Sequence, residues 1–303
     1  MGDVPLAPSW LWIVLTIGAA AAQTARNAMQ RELTGRLGTV GATHVRFLFG
    51  MPFGLLLLAL VFALAGQPMP APNAGFVGWL LAGATSQILA TALMLGAMQR
   101  RSFVVATAYI KTEPVQVAVF GSLFLGDLLG PMAIGAIIIA TVGVLLMSLP
   151  TGASRGDTTG AIALGLGAGA LFAVSAVGYR GAILALSGEG FVLRATFTLA
   201  CGLVFQALVL SAWLSWRERA VMVAILRAWR PSVVAGLMGA LASQLWFLAF
   251  ALEAAARVRT LALVEILFAQ IVSARLFSQR PGSRESLGLV LVVLGVLLLL
   301  AAN

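Results

Sequence analysis

Reactive and charged side chains are scarce in this chain. Its 303 residues include one cysteine and one histidine, and only 10% are charged. Cys201 stands alone in an apolar run, so disulfides are excluded, and with a single histidine so are zinc clusters. An intramembrane enzyme would need a nucleophile with its base, or a metal centre, and this inventory builds neither. No cofactor is expected. The net charge of +9 comes almost wholly from arginine. There is no soluble basic face to present that charge, which excludes nucleic acid as a partner. The first nine residues hold Asp3 and no Lys or Arg. The basic start of a cleavable signal peptide is therefore missing, and the first apolar run is expected to be a mature span.

Apolar residues, by contrast, make up 61% of the chain, and the mean hydropathy is +1.03. Soluble domains hold roughly 45–50%. Successive runs of about 20 apolar residues, the length that crosses a bilayer, fill nearly the whole sequence. The spacing of polar breaks predicts helices over 9–29, 39–65, 74–98, 103–124, 131–149, 159–182, 190–214, 232–254, 258–277 and 285–302. The breaks carry turn chemistry, as in Gly130-Pro131, Pro150-Thr151-Gly152 and Arg280-Pro281-Gly282. Gly165, Gly169 and Ala173 form a small-residue stripe that would let another helix approach closely.

An internal repeat organises these spans. Shifting the chain by 152 places Glu113 on Glu265 and Gly143-Val144-Leu145-Leu146 on Gly295-Val296-Leu297-Leu298. Aliphatic matches are cheap here, but an intramembrane carboxylate is expensive, so the shared Glu gives the match its weight. Ser86-Gln87 and Ser243-Gln244 match at an offset of 157. The expected fold is an all-α integral membrane protein of ten transmembrane helices in two five-helix repeats, 1–150 (TM1–TM5) and 151–303 (TM6–TM10). Five is odd, so the halves would insert inverted, as in secondary transporters. Loops after odd-numbered helices carry Arg31, Arg36, Arg100, Arg101, Arg155, Arg217, Arg219, Arg227, Arg230, Arg280 and Arg284; the other side has mainly Arg180, Arg257 and Arg259. The positive-inside rule then puts both termini outside.

Glu113-Pro114-Val115, Leu123-Phe124-Leu125-Gly126-Asp127, Gly135 and Val142-Gly143-Val144-Leu145-Leu146 resemble the end of an EamA repeat of the drug/metabolite transporter superfamily. There a mid-helix Glu-Pro is followed by a Gly-Glu that closes the helix and by a Gly-rich helix. The second half departs from this, with Ile266 after Glu265 and Ser278-Gln279 in place of Gly-Glu. The resemblance implies a multi-pass protein of the bacterial inner membrane that moves small metabolites by alternating access, often exporting amino acids, without a cofactor. A narrower resemblance is to the aromatic amino-acid exporters of the superfamily.

Candidate substrate-binding residues are those costly to bury in lipid. Tyr109, Glu113 and Gln116 share one helix face, with Lys111 nearly opposite. Glu113 and Lys111 could meet the two poles of a zwitterion; alternatively Glu113 bridges to Arg46 or His44, and Lys111 snorkels to an interface. Glu265 has Arg46 or Arg194 as a conceivable partner. Gln87, Thr91 and Gln244 would line a cavity or hydrogen-bond between helices. His44 would be a proton switch or, more commonly, a partly wet helix-end histidine. Tyr179 and Trp246 could stack on an aromatic side chain. Gln23 and Asn27 stand where a cation/proton antiporter would need an acid. The leading reading is a secondary transporter of small polar metabolites, an amino-acid exporter first. Alternatives are a proton-coupled drug or cation efflux pump and an organic-anion or sugar-phosphate exchanger. The partners implied are a small-molecule substrate and the lipid bilayer, with the chain a monomer or homodimer.

Overall fold

The computed structural model describes residues 8–100, 110–148, 158–188, 190–266 and 283–302. Among them are eleven α-helices. These are α1 (Leu11–Leu48), α2 (Gly50–Ala65), α3 (Ala74–Arg100), α4 (Glu113–Leu125), α5 (Pro131–Ser148), α6 (Thr158–Ala185), α7 (Phe191–Arg217), α8 (Arg219–Arg227), α9 (Trp229–Leu252), α10 (Ala255–Leu261) and α11 (Ser283–Ala301). A 3₁₀ turn, Ala262–Val264, follows α10. Five helical stretches are long and apolar enough to cross a membrane: Glu32–Ala65, Ala74–Arg100, Gly160–Ala185, Phe191–Arg217 and Trp229–Leu252.

Of the ten expected helices, those at 74–98, 131–149, 159–182, 190–214, 232–254 and 285–302 match observed ones within a few residues; those at 103–124 and 258–277 lie partly outside the described residues, and the other differences have local causes. The polar stretch between the first two predicted helices is itself helical. The chain runs from Leu11 to Leu48 and breaks direction only at Gly38, at φ 68° and ψ 175°. Leu33 and Leu37 are buried there, and Gln30 donates to the Ala42 carbonyl at 3.0 Å across the bend. Good helix formers carry the helix past the apolar run, and only glycine adopts that φ cheaply. The interruption at Phe49 follows from Pro52, which has no N–H to give the Leu48 carbonyl. Pro114 acts the same way on α4. It cannot bond the Ile110 carbonyl, the chain turns at Lys111-Thr112, and α4 restarts at Glu113. Glu113-Pro114 therefore opens a helical segment instead of lying mid-helix.

The segment expected to be a loop before α9 holds a helix of its own. α8 is flanked by exposed Trp216 and Trp229, on which the Arg217 and Arg230 guanidinium groups lie 4.5 and 5.5 Å from the ring centroids. Tryptophan with arginine at a helix edge fits the membrane–water boundary.

In the bundle, α1 packs on α9, α3 on α6, α2 on α7 and α5 on α11. Glycines allow the closest approaches. A Cβ on Gly178 of α6 would stand 2.7 Å from the Gly83 nitrogen of α3, and one on Gly143 of α5 would stand 2.7 Å from the Gly288 carbonyl oxygen of α11. In the expected stripe, a Cβ on Gly169 would sit 3.1 Å from the Ile110 oxygen, so α6 lies directly against the turn that precedes α4. Leu64, Leu123 and Leu128 point outward while Arg26, Arg46 and Glu113 are buried. That is the distribution a lipid environment selects.

Candidate functional site

Five helices, α1, α3, α6, α9 and α10, converge on a central cavity. Its polar wall carries Arg46, Gln87, Tyr179, Ser243 and Arg259, and its aromatic wall Phe172, Trp246, Phe247 and Phe250. The free volume is about 10 Å³, room for about one water. The cavity is closed down in this conformation.

Each polar side chain is held by a neighbour. Arg46 donates to Thr91 Oγ1 and to Ser243 Oγ, both at 3.4 Å, joining the second span to α3 and α9. Tyr179 Oη donates to Gln87 Oε1 at 3.1 Å, and Gln206 Nε2 donates to the same oxygen at 2.9 Å. Trp246 Nε1 donates to Gln23 Oε1 at 3.1 Å. Trp246 stacks with Phe250 at 6.0 Å, and Tyr179 packs against Phe247 at 4.4 Å. These contacts hold the rings in place before any ligand arrives, which lowers the ordering cost of binding.

Beside the cavity lies a layer of crossed ion pairs. Glu113 on α4 meets Arg259 on α10, Nε to Oε1 at 3.0 Å; the N–H is not aimed at that oxygen, so the contact is ionic and not a hydrogen bond. Glu265, just after the 3₁₀ turn, is in direct contact with Lys111. Each acid thus pairs with a cation from the other half of the sequence. Glu113 is the first residue of α4, where the helix dipole also favours a carboxylate. The Arg259 guanidinium lies 4.3 Å from the Trp246 ring centroid and 5.5 Å from that of Phe250, tying the layer to the aromatic wall.

The candidates therefore fall into groups. Arg46, Gln87, Tyr179 and Trp246 come together on the cavity. Among the described residues, Lys111, Glu113 and Glu265 do not line it, and no carboxylate does. Glu113 is bridged to Arg259 and not to Arg46 or His44; Glu265 goes to Lys111 and not to Arg46 or Arg194. The pairing is set by the helix breaks, which bring α4 and α10 side by side. Gln244 is turned to α7, donating to Thr196 Oγ1 at 2.7 Å. His44 is fully buried, with Nε2 and Ser211 Oγ 3.0 Å apart, not at a wet helix end. The reason is that the helix runs on through the Gly38 bend and places His44 against α7. Tyr109 lies outside the described residues.

Sequence reasoning missed Arg26, Gln206, and Arg259 as a partner. Arg26 is 2% exposed inside α1 and donates twice to Asn27 Oδ1, at 2.7 and 3.3 Å. An arginine inside a predicted apolar span was the available signal.

The two ends of the bundle differ. At the end holding the termini, Arg180 of α6 clasps Asp127 with two bonds of 3.1 and 3.2 Å and donates to the Phe250 and Glu253 carbonyls at 2.6 and 2.7 Å. Gly126, at φ 69°, caps α4 and turns Asp127 into reach. At the opposite end a crevice of about 160 Å³ opens between Thr34, Gly35, Leu95, Met98 and Gln99.

Residues 10–149 match the EamA-like transporter family. The matched stretch is just under half of the chain. This family is one of membrane transporters in the drug/metabolite superfamily. The matched stretch contains Arg46, Gln87, Lys111 and Glu113. Twenty-seven solved chains match in fold. One, described only as "Crystal structure of protein", superposes with a TM-score of 0.68 at 12% identity over 96% of this chain and 95% of its own. That likeness concerns fold alone. No curated protein matches the chain.

Proposed function

We propose that this protein is a secondary transporter of small carboxylate-bearing metabolites, the class that includes amino acids, exporting them across the bacterial inner membrane by alternating access. The observation that carries this reading is the closed cavity, lined by residues from both halves of the sequence and set between a clasped end and a creviced end. The packing supports inverted halves. If the first five spans map on the second five, exchanging them turns the α1–α9 contact into the α3–α6 contact and leaves α2–α7 and α5–α11 unchanged, which is the pattern found. The EamA-like match, ending at 149, supports a junction near 150.

The cavity fits one class of cargo better than the others. An arginine with hydroxyl and amide neighbours receives a carboxylate. The facing rings receive an apolar or aromatic body. A drug-cation pump would want an acid on the wall, and among the described residues none is there. The same feature supports movement down the cargo's own gradient, or exchange, without obligatory proton coupling. Arginines after odd-numbered helices support termini on the periplasmic side. Counterflow in proteoliposomes with labelled amino acids, sugar phosphates and quaternary cations tests the reading. Carboxylates are expected to move; movement of the quaternary cations alone would refute it.

A further inference from the structure

The charges buried in the bundle do not balance. Among the described residues the buried ionisable chains, His44 apart, are Arg26, Arg46, Lys111 and Arg259 against Glu113 and Glu265. Both acids are taken, by Arg259 and by Lys111. Arg26 and Arg46 have no carboxylate within ion-pair distance, and arginine stays charged at any physiological pH. Their only side-chain hydrogen-bond partners are neutral: an amide for Arg26, two long hydroxyl contacts for Arg46. Arg26 Nη1 and Arg46 Nε have no hydrogen-bond partner at all. The two stems converge on one point of α9, since a Cβ on Gly239 would meet Arg46 Cγ at 3.3 Å and Arg26 Cδ at 3.4 Å. The two guanidinium groups repel each other, and the one acid near enough to act on Arg26, Glu265, is already in contact with Lys111, so neither arginine has an acid of its own to make its burial tolerable.

We propose that the cargo itself is the missing counter-ion: an organic anion with net negative charge, its oxyanion group received by Arg46 on the cavity wall with Arg26 behind it, and its apolar body on the Phe172 and Phe247 rings. This rests on the transport reading above and narrows it. A zwitterion brings an ammonium that needs an acceptor of its own. Both buried acids are ion-paired and neither lines the cavity, and Arg259 already lies against the Trp246 and Phe250 rings. A doubly charged cargo fits best, because two positive charges are uncovered. Dicarboxylates and phosphate monoesters share this chemistry.

The test holds the aryl body fixed and varies the charge. Purified protein in proteoliposomes is assayed for counterflow with phenethylamine, phenylalanine, 3-phenylpropionate, phenylsuccinate and phenyl phosphate. At a separation of ~4 Å near a protein surface one charge pair is worth several RT, so steps of at least about tenfold per negative charge are expected. The expected order puts the two dianions first, then phenylpropionate, then phenylalanine, with phenethylamine inert. Whichever dianion moves faster separates the carboxylate source from the phosphate source. Arg26→Gln should bring the dianions down toward the rate of phenylpropionate and so collapse the charge preference, and Arg26→Lys should restore it. Melting of the wild-type protein in detergent gives a readout that needs no variant: phenylsuccinate should raise the Tm more than phenylalanine. Phenylalanine moving as fast as phenylsuccinate, with equal Tm shifts, would overturn the charge inference and leave the transport reading intact. Movement of none of the five by protein that melts cooperatively would overturn both.

Discussion

Lys111, Glu113, Arg259 and Glu265 close their charges on one another, whereas Arg26 and Arg46, buried as deeply, meet only neutral groups. The first set crosses between the halves of the sequence and reaches the cavity wall only through Arg259, whose charge is held by Glu113; Arg46 sits on the wall with no acid beside it. A closed pair in low dielectric is a brace, since its charges are already spent on each other. On the proposed reading, the open guanidinium held in place by Thr91 and Ser243 is the receptor for an anion. Burial alone therefore does not mark a binding residue in this bundle; the state of its partner does.

The largest effect is expected from removing the open charge. Arg46→Gln should reduce counterflow about a hundredfold or more, the equivalent of roughly 2.7 kcal/mol, while the melting transition in detergent stays cooperative. A variant that transports normally would erase the distinction between the two sets. Breaking a brace should act on stability instead. Glu113→Gln leaves Arg259 buried without its acid and is expected to cost about 3–5 kcal/mol, read as a lower Tm. Pairing it with Arg259→Met should recover most of that loss, and failure to recover would mean the contact is not a closed unit.

The clasp lies between these extremes. Asp127→Asn keeps the size of the side chain but removes the charge that Arg180 holds, so the termini end should open more often. With Ser175→Cys on the cavity wall and Cys201→Ala in the background, a membrane-impermeant thiol reagent added from that end should react several-fold faster than in the clasped protein. Unchanged labelling would show that Arg180 braces the end without gating it. The smallest effect is expected at Tyr179→Phe. One hydrogen bond to Gln87 is lost, worth about 1 kcal/mol net, and counterflow should fall by roughly fivefold at most.

Much of the fold was legible because lipid makes hydrophobic runs unambiguous, and α3 and α5 start where their polar breaks and Pro131 said they would. The polar stretch 30–38 misled because a helix can leave the bilayer and stay helical; only Gly38 marks the bend. α8 was invisible for the opposite reason, being too short and too polar to register as a span. Of the site, Arg46, Gln87, Tyr179 and Trp246 could be picked out by residue type. The pairings of Glu113 and Glu265 could not. Arg259 stands 146 positions from Glu113 in sequence, and the contact exists only because two broken helices pack together. Arg26 was hidden by its apolar surroundings, where its charge was itself the clue.

The most direct test compares a neutralised brace with a neutralised receptor in one counterflow assay, normalised to folded protein. Lys111→Met combined with Glu265→Gln removes one crossed pair whole, leaving no stranded charge; Arg46→Gln removes the open arginine. The double variant is expected to keep most of the wild-type counterflow of an aryl carboxylate, and Arg46→Gln to lose it. A silent double variant beside an active Arg46→Gln would contradict the assignment of brace and receptor.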